Sequence, residues 1–308
     1  MAANDLSAWV PIEWDSAVIQ RVMKASAIEA NASRTSMTTS TKRILRAGDF
    51  DVNVGTTYSD DDSDLDYVTL TARRFMGKTV LSEDDLHDAE SIVDVVGQRA
   101  TDWAVSYATH LDNACIGVTA AENGTTVPFT SIYKTVRTNG ADGTSDYVAD
   151  ANYVNHGGVA ASAYNDLSEA FRRVEVGDYW DETNAVVIAH PAFRDVLRKV
   201  KDSNGNPIFV QGQGADSGTP DRLFGVDIVW SRGAKTSLTA SARPNGNPLL
   251  VFVGDRNLLK LGVRSGPESM VTAADAQSNT DETALKLRSR RGFAAGNVFG
   301  FSVVEKTA

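Results

Sequence analysis

One cysteine, eight prolines and no long apolar run in 308 residues narrow this chain first by what they rule out. The lone Cys115 excludes internal disulfides, and its place on the apolar side of a helical pattern gives it a packing role rather than a nucleophilic one. Apolar runs such as Pro248 to Val253 are far shorter than the ~20 residues a membrane-crossing helix requires. Met1-Ala2-Ala3-Asn4-Asp5 offers no basic flank leading into an apolar stretch, so the chain is expected to be made and kept in a cytoplasm. Positive charge is scarce as well: 30 Lys and Arg against 40 Asp and Glu leave a net charge of -10. Gripping nucleic acid needs clustered cations, which argues against that as the main task. With 42% hydrophobic residues the chain can still bury a real core, expected as two subdomains.

The most informative pattern that is present lies between Leu81 and Val118. Leu86, Ala89, Val93, Val96, Ala100, Trp103, Tyr107, Leu111, Ala114 and Val118 recur at helical spacing. Ser82 as N-cap, Asp85 at the capping-box position and a Leu81/Leu86 staple predict one rod of roughly 50 Å beginning there. Before it, Trp14 to about Ala30 reads as a short amphipathic helix and Ser33 to Thr41 as a polar arm. Phe50 to Val54 and Tyr67 to Thr71 alternate as strands do, on either side of Asp60-Asp61-Asp62-Ser63-Asp64. They predict a long hairpin with an acidic tip, and an isolated hairpin of that kind needs a partner surface.

After the rod, Asn123-Gly124 marks a turn, and glycine-rich segments at 139–143 and 155–158 mark loops. A second amphipathic helix over 160–176, the buried strand Ala185 to Ala189, a helix opened by His190-Pro191, and strands at 226–230 and 249–253 describe a small α/β unit. Leu285, Leu287 and Lys286, Arg288 alternate in a terminal strand, and Val298 to Val303 close the chain.

Chemical sites fare poorly. Met76-Gly77-Lys78-Thr79 lacks the earlier glycine of a phosphate-binding loop, which would stand at Ala72, so it reads as a turn before the helix. Gly212 to Gly218 has the wrong spacing and context for a dinucleotide loop. Asp60, Asp62 and Asp64 match the first places of a calcium loop, but Leu65 and Thr71 stand where glycine and glutamate are required. His87 has no histidine four residues on, and His190 has no nucleophile to activate, so capping or packing is its expected role. Lys286, Arg288, Arg290 and Arg291 form the densest basic cluster, expected to pair with acidic neighbours or an adjoining subunit rather than with DNA. No catalytic, cofactor-binding or metal-binding residue is assigned, and no enzyme activity is expected.

In their order, the capped rod at Val80-Leu81-Ser82-Glu83-Asp84-Asp85-Leu86, Leu223 to Val229, Val251-Phe252-Val253-Gly254-Asp255 and Leu285 to Phe293 resemble the tailed-bacteriophage major capsid protein family. Encapsulins share its Hong Kong 97-type fold. The resemblance implies an α+β fold with an N-arm (1–45), an E-loop hairpin (46–80), a peripheral domain with a long spine helix (81–135 and 262–308) and an axial α/β domain (136–261). It implies pentamers and hexamers closing an icosahedral shell around phage double-stranded DNA, without sequence-specific contacts. The alternative is an encapsulin-type nanocompartment enclosing a cargo enzyme. The implied partners are copies of the chain, a scaffolding protein, a portal and, in some relatives, a decoration protein; the implied location is the virion, assembled in the host bacterial cytoplasm. Inter-subunit contact candidates are Trp9, Trp14, Tyr58, Asp60, Asp61, Asp62, Asp64, Arg73, Arg74, Arg288, Arg290 and Arg291. Some family members weld subunits through an E-loop lysine, but none lies between Lys42 and Lys78, so a non-covalent shell is expected. The chain opens at the arm, so scaffolding is expected from a separate protein.

Overall fold

The computed structural model describes residues 25–46, 54–56, 66–82, 84, 94–140, 146–157, 163–201, 204, 222–246, 248–273 and 282–307. In chain order its elements are α1 (Ala27–Asn31), β1 (Ser33–Ser36), β2 (Thr41–Arg46), β3 (Asp66–Thr71), β4 (Arg73–Ser82) and α2 (Val95–Ile116). Then come α3 (Ile132–Val136), β5 (Tyr153–His156), α4 (Ala163–Glu175), β6 (Ala185–Ala189), α5 (Phe193–Lys199), β7 (Arg222–Leu223) and β8 (Val226–Trp230). The chain closes with β9 (Leu249–Asp255), β10 (Leu259–Ala273), β11 (Glu282–Ala295) and β12 (Phe301–Lys306).

Three sheets organise these elements. One has the order β1-β10-β11-β4, one β5-β12-β9-β6-β8-β7, and β2 pairs with β3 alone. β10 and β11 run 15 and 14 residues, about 50 Å of strand. Their register shifts between Val263 and Ser265 and again before Glu268, where Pro267 has no N–H to donate to a ladder.

The six-stranded sheet separates two cores by side-chain parity. Val186 and Ile188 of β6, Leu250 and Phe252 of β9, and Phe301 and Val303 of β12 face the core shared with α2 and α3. Ala185, Val187 and Ala189, Val251 and Val253, and Val304 face the core under α4 and α5. A strand buried on both faces loses the polar alternation of a surface strand, which is why β6 reads Ala-Val-Val-Ile-Ala. The helix predicted over 160–176 is α4, whose stripe Ala163, Leu167, Ala170, Phe171 and Val174 is buried.

Several expectations are corrected. The long helix begins at Val95, where the Asp94 side chain caps Gly97 N–H, and not at Ser82. Leu81 and Ser82 are strand, paired with Thr283 and Glu282, because ten residues of β4 gain a ladder with β11. At 22 residues α2 spans about 33 Å. Residues 85–93, including His87, lie outside the described residues. Met76 to Thr79 lies within the run of β4 rather than in a turn, and Gly77 is needed there because a Cβ would come within 2.8 Å of Trp103 Cδ1. The partner of β3 is Thr41–Arg46, not residues 50–54; Phe50 to Asn53 lie outside the described residues, and Val54 is exposed and irregular. Part of the polar arm is woven in: Ser33–Ser36 pairs in parallel with Lys260 to Val263, and Met37 is buried. The amphipathic N-terminal helix is seen only as the short α1, capped by Ser26; residues 1–24 lie outside the description. The closing strand β12 joins the α/β sheet, beside β9 and β5, rather than extending the long β10–β11 pair. Cys115 is fully buried, as a packing residue should be, and burial pushes its thiol pKa up.

Candidate assembly surfaces

The hairpin β2–β3 is held at its root and bare beyond it. Leu70 is fully buried at the root, near Gly262 and Met37. Its outer face carries Leu45 opposite Tyr67, 87% and 44% exposed, with the Arg43 guanidinium 4.3 Å from the Tyr67 ring. Arg46 closes the described end on Asp66 at 2.6 Å and donates to the Gly296 carbonyl at 3.3 Å. The Tyr67 N–H and then Arg46 hold the Asp66 carboxyl below its usual range. This apolar cross-strand pair is left open for another molecule to cover.

The basic candidates separate into two faces of the long sheet. Arg291 points inward, 5% exposed, with its Nε donating to Glu29 at 2.7 Å and its Nη1 to the Ser265 carbonyl. Tyr107 donates to the same Glu29 oxygen at 2.9 Å and accepts from the Ser289 hydroxyl at 3.2 Å. Arg291 therefore ties α1, α2 and β11 together, and its burial removes it from the inter-subunit set. Arg73 is engaged within the chain by Glu122 at 2.8 Å, and Arg288 by Glu268 at 2.8 Å. Arg74 and Arg290 stand opposite each other on the outer face. Trp9, Trp14, Tyr58, Asp60, Asp61, Asp62 and Asp64 lie outside the described residues.

The helix α2 carries a joint that sequence reading missed. Asp112, 2% exposed, accepts from Ser26 Oγ at 2.5 Å, from the N–H groups of Ala27 and Ile28 at 2.9 and 3.1 Å, and from Ser231 Oγ at 2.5 Å. Burial raises its pKa while these donors oppose the rise. Asn113 donates to the carbonyls of Gly233 and Lys235 at 3.2 and 2.8 Å, and accepts from Ser237 Oγ at 2.7 Å and Ser241 N–H at 3.1 Å. Two adjacent side chains thus fasten the N-terminal segment and the loop after β8 to one helix. The only signal available in the sequence is a pair of polar residues between Leu111 and Ala114 on an otherwise apolar stripe.

Among the described residues the histidines His190 and His110 serve capping and packing. His190 Nδ1 accepts from the Ala192 N–H at 3.2 Å, a capping contact in keeping with the expected role. Burial, with Lys235 and Arg232 nearby, pushes its pKa down to about 4. His110 packs edge-on against Phe75 at 5.5 Å, and burial lowers its pKa. No group of metal-ligating side chains occurs among the described residues. A groove of about 470 Å³ between β4, α2 and the turn at Gly124 is lined by Arg73, Phe75, Trp103, Ser106, Tyr107 and His110, an aromatic wall with a cationic rim.

A long two-stranded backbone under one helix, a separate α/β sheet and a hairpin with an exposed apolar pair make up the described chain. The match to the phage capsid family spans residues 7–305, and the chain belongs to that family. Among solved structures it is similar to chains from Mycobacterium phage Ogopogo (TM-score 0.74, 16% identity, 99% of this chain and 100% of that one) and Microbacterium phage Oxtober96 (0.72, 16%, 98% and 98%). It is also similar to the capsid of a native GTA particle computed with C5 symmetry (0.69, 17%, 100% and 100%). At such identities these likenesses establish the fold. No curated protein matches the sequence.

Proposed function

We propose that this chain is the major capsid protein of a tailed phage, self-assembling as pentamers and hexamers into a non-covalent icosahedral shell around double-stranded DNA. The observation that carries the reading is the hairpin β2–β3, whose Leu45 and Tyr67 face stays in water in the single subunit. Laid over a neighbour, that face is buried, and many modest contacts closing at once give a strong shell. In family terms residues 1–45 serve as N-arm and 46–80 as E-loop, with β2 at their junction joining the E-loop; 81–135 with most of 262–308 serve as the peripheral domain, and 136–261, joined by β12, as the axial domain. The partners are copies of the chain, a scaffolding protein and a portal, with assembly in the host cytoplasm and DNA held without sequence-specific contacts.

Electron microscopy of the purified protein, with absorbance at 260 and 280 nm, tests this. Closed shells that hold nucleic acid after maturation support it. A lone monomer at high concentration overturns it, and shells loaded with a protein cargo instead of a genome point to a nanocompartment. Deletion of residues 57–66 is expected to leave a soluble subunit that forms no shell.

A further inference from the structure

On the face of the long sheet turned away from α2, like charges stand directly opposite one another. Lys286 of β11 is the register partner of Lys78 of β4, and Arg290 of Arg74. Lys78, Lys286 and Arg74 are exposed and Arg290 half-buried. Directly opposed side chains lie about 5 Å apart, where like charges repel. Arg288, between the two pairs, is neutralised by Glu268. No ion pair reaches Arg74, Lys78, Lys286 or Arg290 among the described residues. The inner face of the same strands is the control: there Arg291 meets Glu29, and Ser289 meets Tyr107. A chain of net charge -10 that gathers unpaired cations on one sheet face leaves that face waiting for an anion.

We propose that this face receives the acidic run Asp60-Asp61-Asp62-Ser63-Asp64 of a second copy of the chain. The proposal rests on the assembly reading above and names the surface on which the hairpin tip lands. Charge favours this occupant: four carboxylates in five residues meet four unpaired cations. Spacing favours it too. Same-face residues along a strand recur about every 6.6 Å, so the 286, 288, 290 row and Asp60, Asp62, Asp64 in extended backbone share one interval.

Reach keeps the chain's own run from covering the Lys78–Lys286 end of this face. Asp66 sits on Arg46, which meets Gly296; Lys286 is ten residues back along β11, about 33 Å away. Asp64 can lie at most about 7 Å from Asp66, and Asp60 at most about 21 Å. The run as a whole cannot lie across the Lys78–Lys286 pair of its own subunit. Exposed pairs of this kind are weak singly and salt-screened, and they gain strength by recurring at many subunit contacts.

The test uses the full chain with Lys78→Glu and Lys286→Glu together. The variant is expected to fold with an unchanged melting profile and to need at least tenfold more protein to form shells at 0.15 M salt. Adding Asp60→Lys and Asp62→Lys to the same chain is expected to restore assembly in part, because two charges on each side are then exchanged while Arg74, Arg290, Asp61 and Asp64 keep their signs. Should the glutamate pair fail to fold, Lys78→Gln with Lys286→Gln gives the reading instead, as a roughly threefold loss with a flattened dependence on salt. Unchanged assembly in either pair overturns the proposal, as does a loss that the exchange does not rescue. Normal shells that no longer retain nucleic acid also overturn it and assign the face to the genome. The assembly reading itself fails separately, if the unaltered protein forms no shells or the 57–66 deletion still forms them.

Discussion

Strands β6 and β2 differ by one residue in length and by almost everything in surroundings. All five residues of β6 are buried, divided between two cores. β2 alternates between exposed and half-buried positions, and Leu45 is nearly as open as in an unfolded chain. A strand completed by its own chain stabilises the subunit. A strand with one bare apolar face stabilises whatever covers it, and until then is an edge hazard that charged neighbours such as Arg43 and Arg46 keep soluble.

Phe252→Ala against Leu45→Ala tests that contrast most severely. Phe252 is fully buried between Phe301 and the α2 core, so its truncation is expected to destabilise the subunit by about 3–5 kcal/mol in urea unfolding. Leu45→Ala is expected to stay within about 0.5 kcal/mol of the parent while raising the protein concentration needed for shells. Equal destabilisation by the two changes would erase the distinction between the regions.

Asp112→Ala probes the joint between the N-terminal segment and the body. It strands two serine hydroxyls and two backbone N–H groups in a buried site, for an expected loss of about 3 kcal/mol. Hydrogen exchange adds a local readout, with protection lost at Ala27 and Ile28 first. Unchanged protection there would mean that the segment is held by other contacts.

What sequence reading captured and missed follows from the range of the forces involved. β6, β8 and α4 announce themselves because their own side-chain pattern decides their burial. The start of α2 misleads, because Val80-Leu81-Ser82 satisfies a helix cap locally while the ladder that claims it comes from Ala284 to Glu282, two hundred residues later. β2 hides for the reverse reason: Thr41-Lys42-Arg43-Ile44-Leu45-Arg46 alternates, but its polarity reads as arm until β3 is seen beside it. Of the assembly candidates, parity alone could have set Arg291 apart, since it shares the inward side of Leu285 and Leu287 while Lys286, Arg288 and Arg290 face out. The Asp112–Asn113 joint was not legible, because its partners at 26–28 and 231–241 come together only in the folded chain.

The smallest expected effect sharpens the same comparison through pH. His190 ends β6, and its folded pKa of about 4 lies below the ordinary value of 6.5. Between those values the unfolded chain binds a proton that the folded chain refuses, so stability rises with pH across that window and levels off above 6.5. Because the imidazole keeps some contact with water, the loss on acidification should be on the order of 1 kcal/mol rather than the full linkage value. His190→Asn retains an acceptor for the Ala192 N–H and removes the titration, so the slope of urea midpoints between pH 6.5 and 4 should flatten. At the described end of the hairpin Asp66 is held below the usual carboxylate pKa and responds only at lower pH. A slope unchanged in His190→Asn would move the acid sensitivity away from the buried sheet.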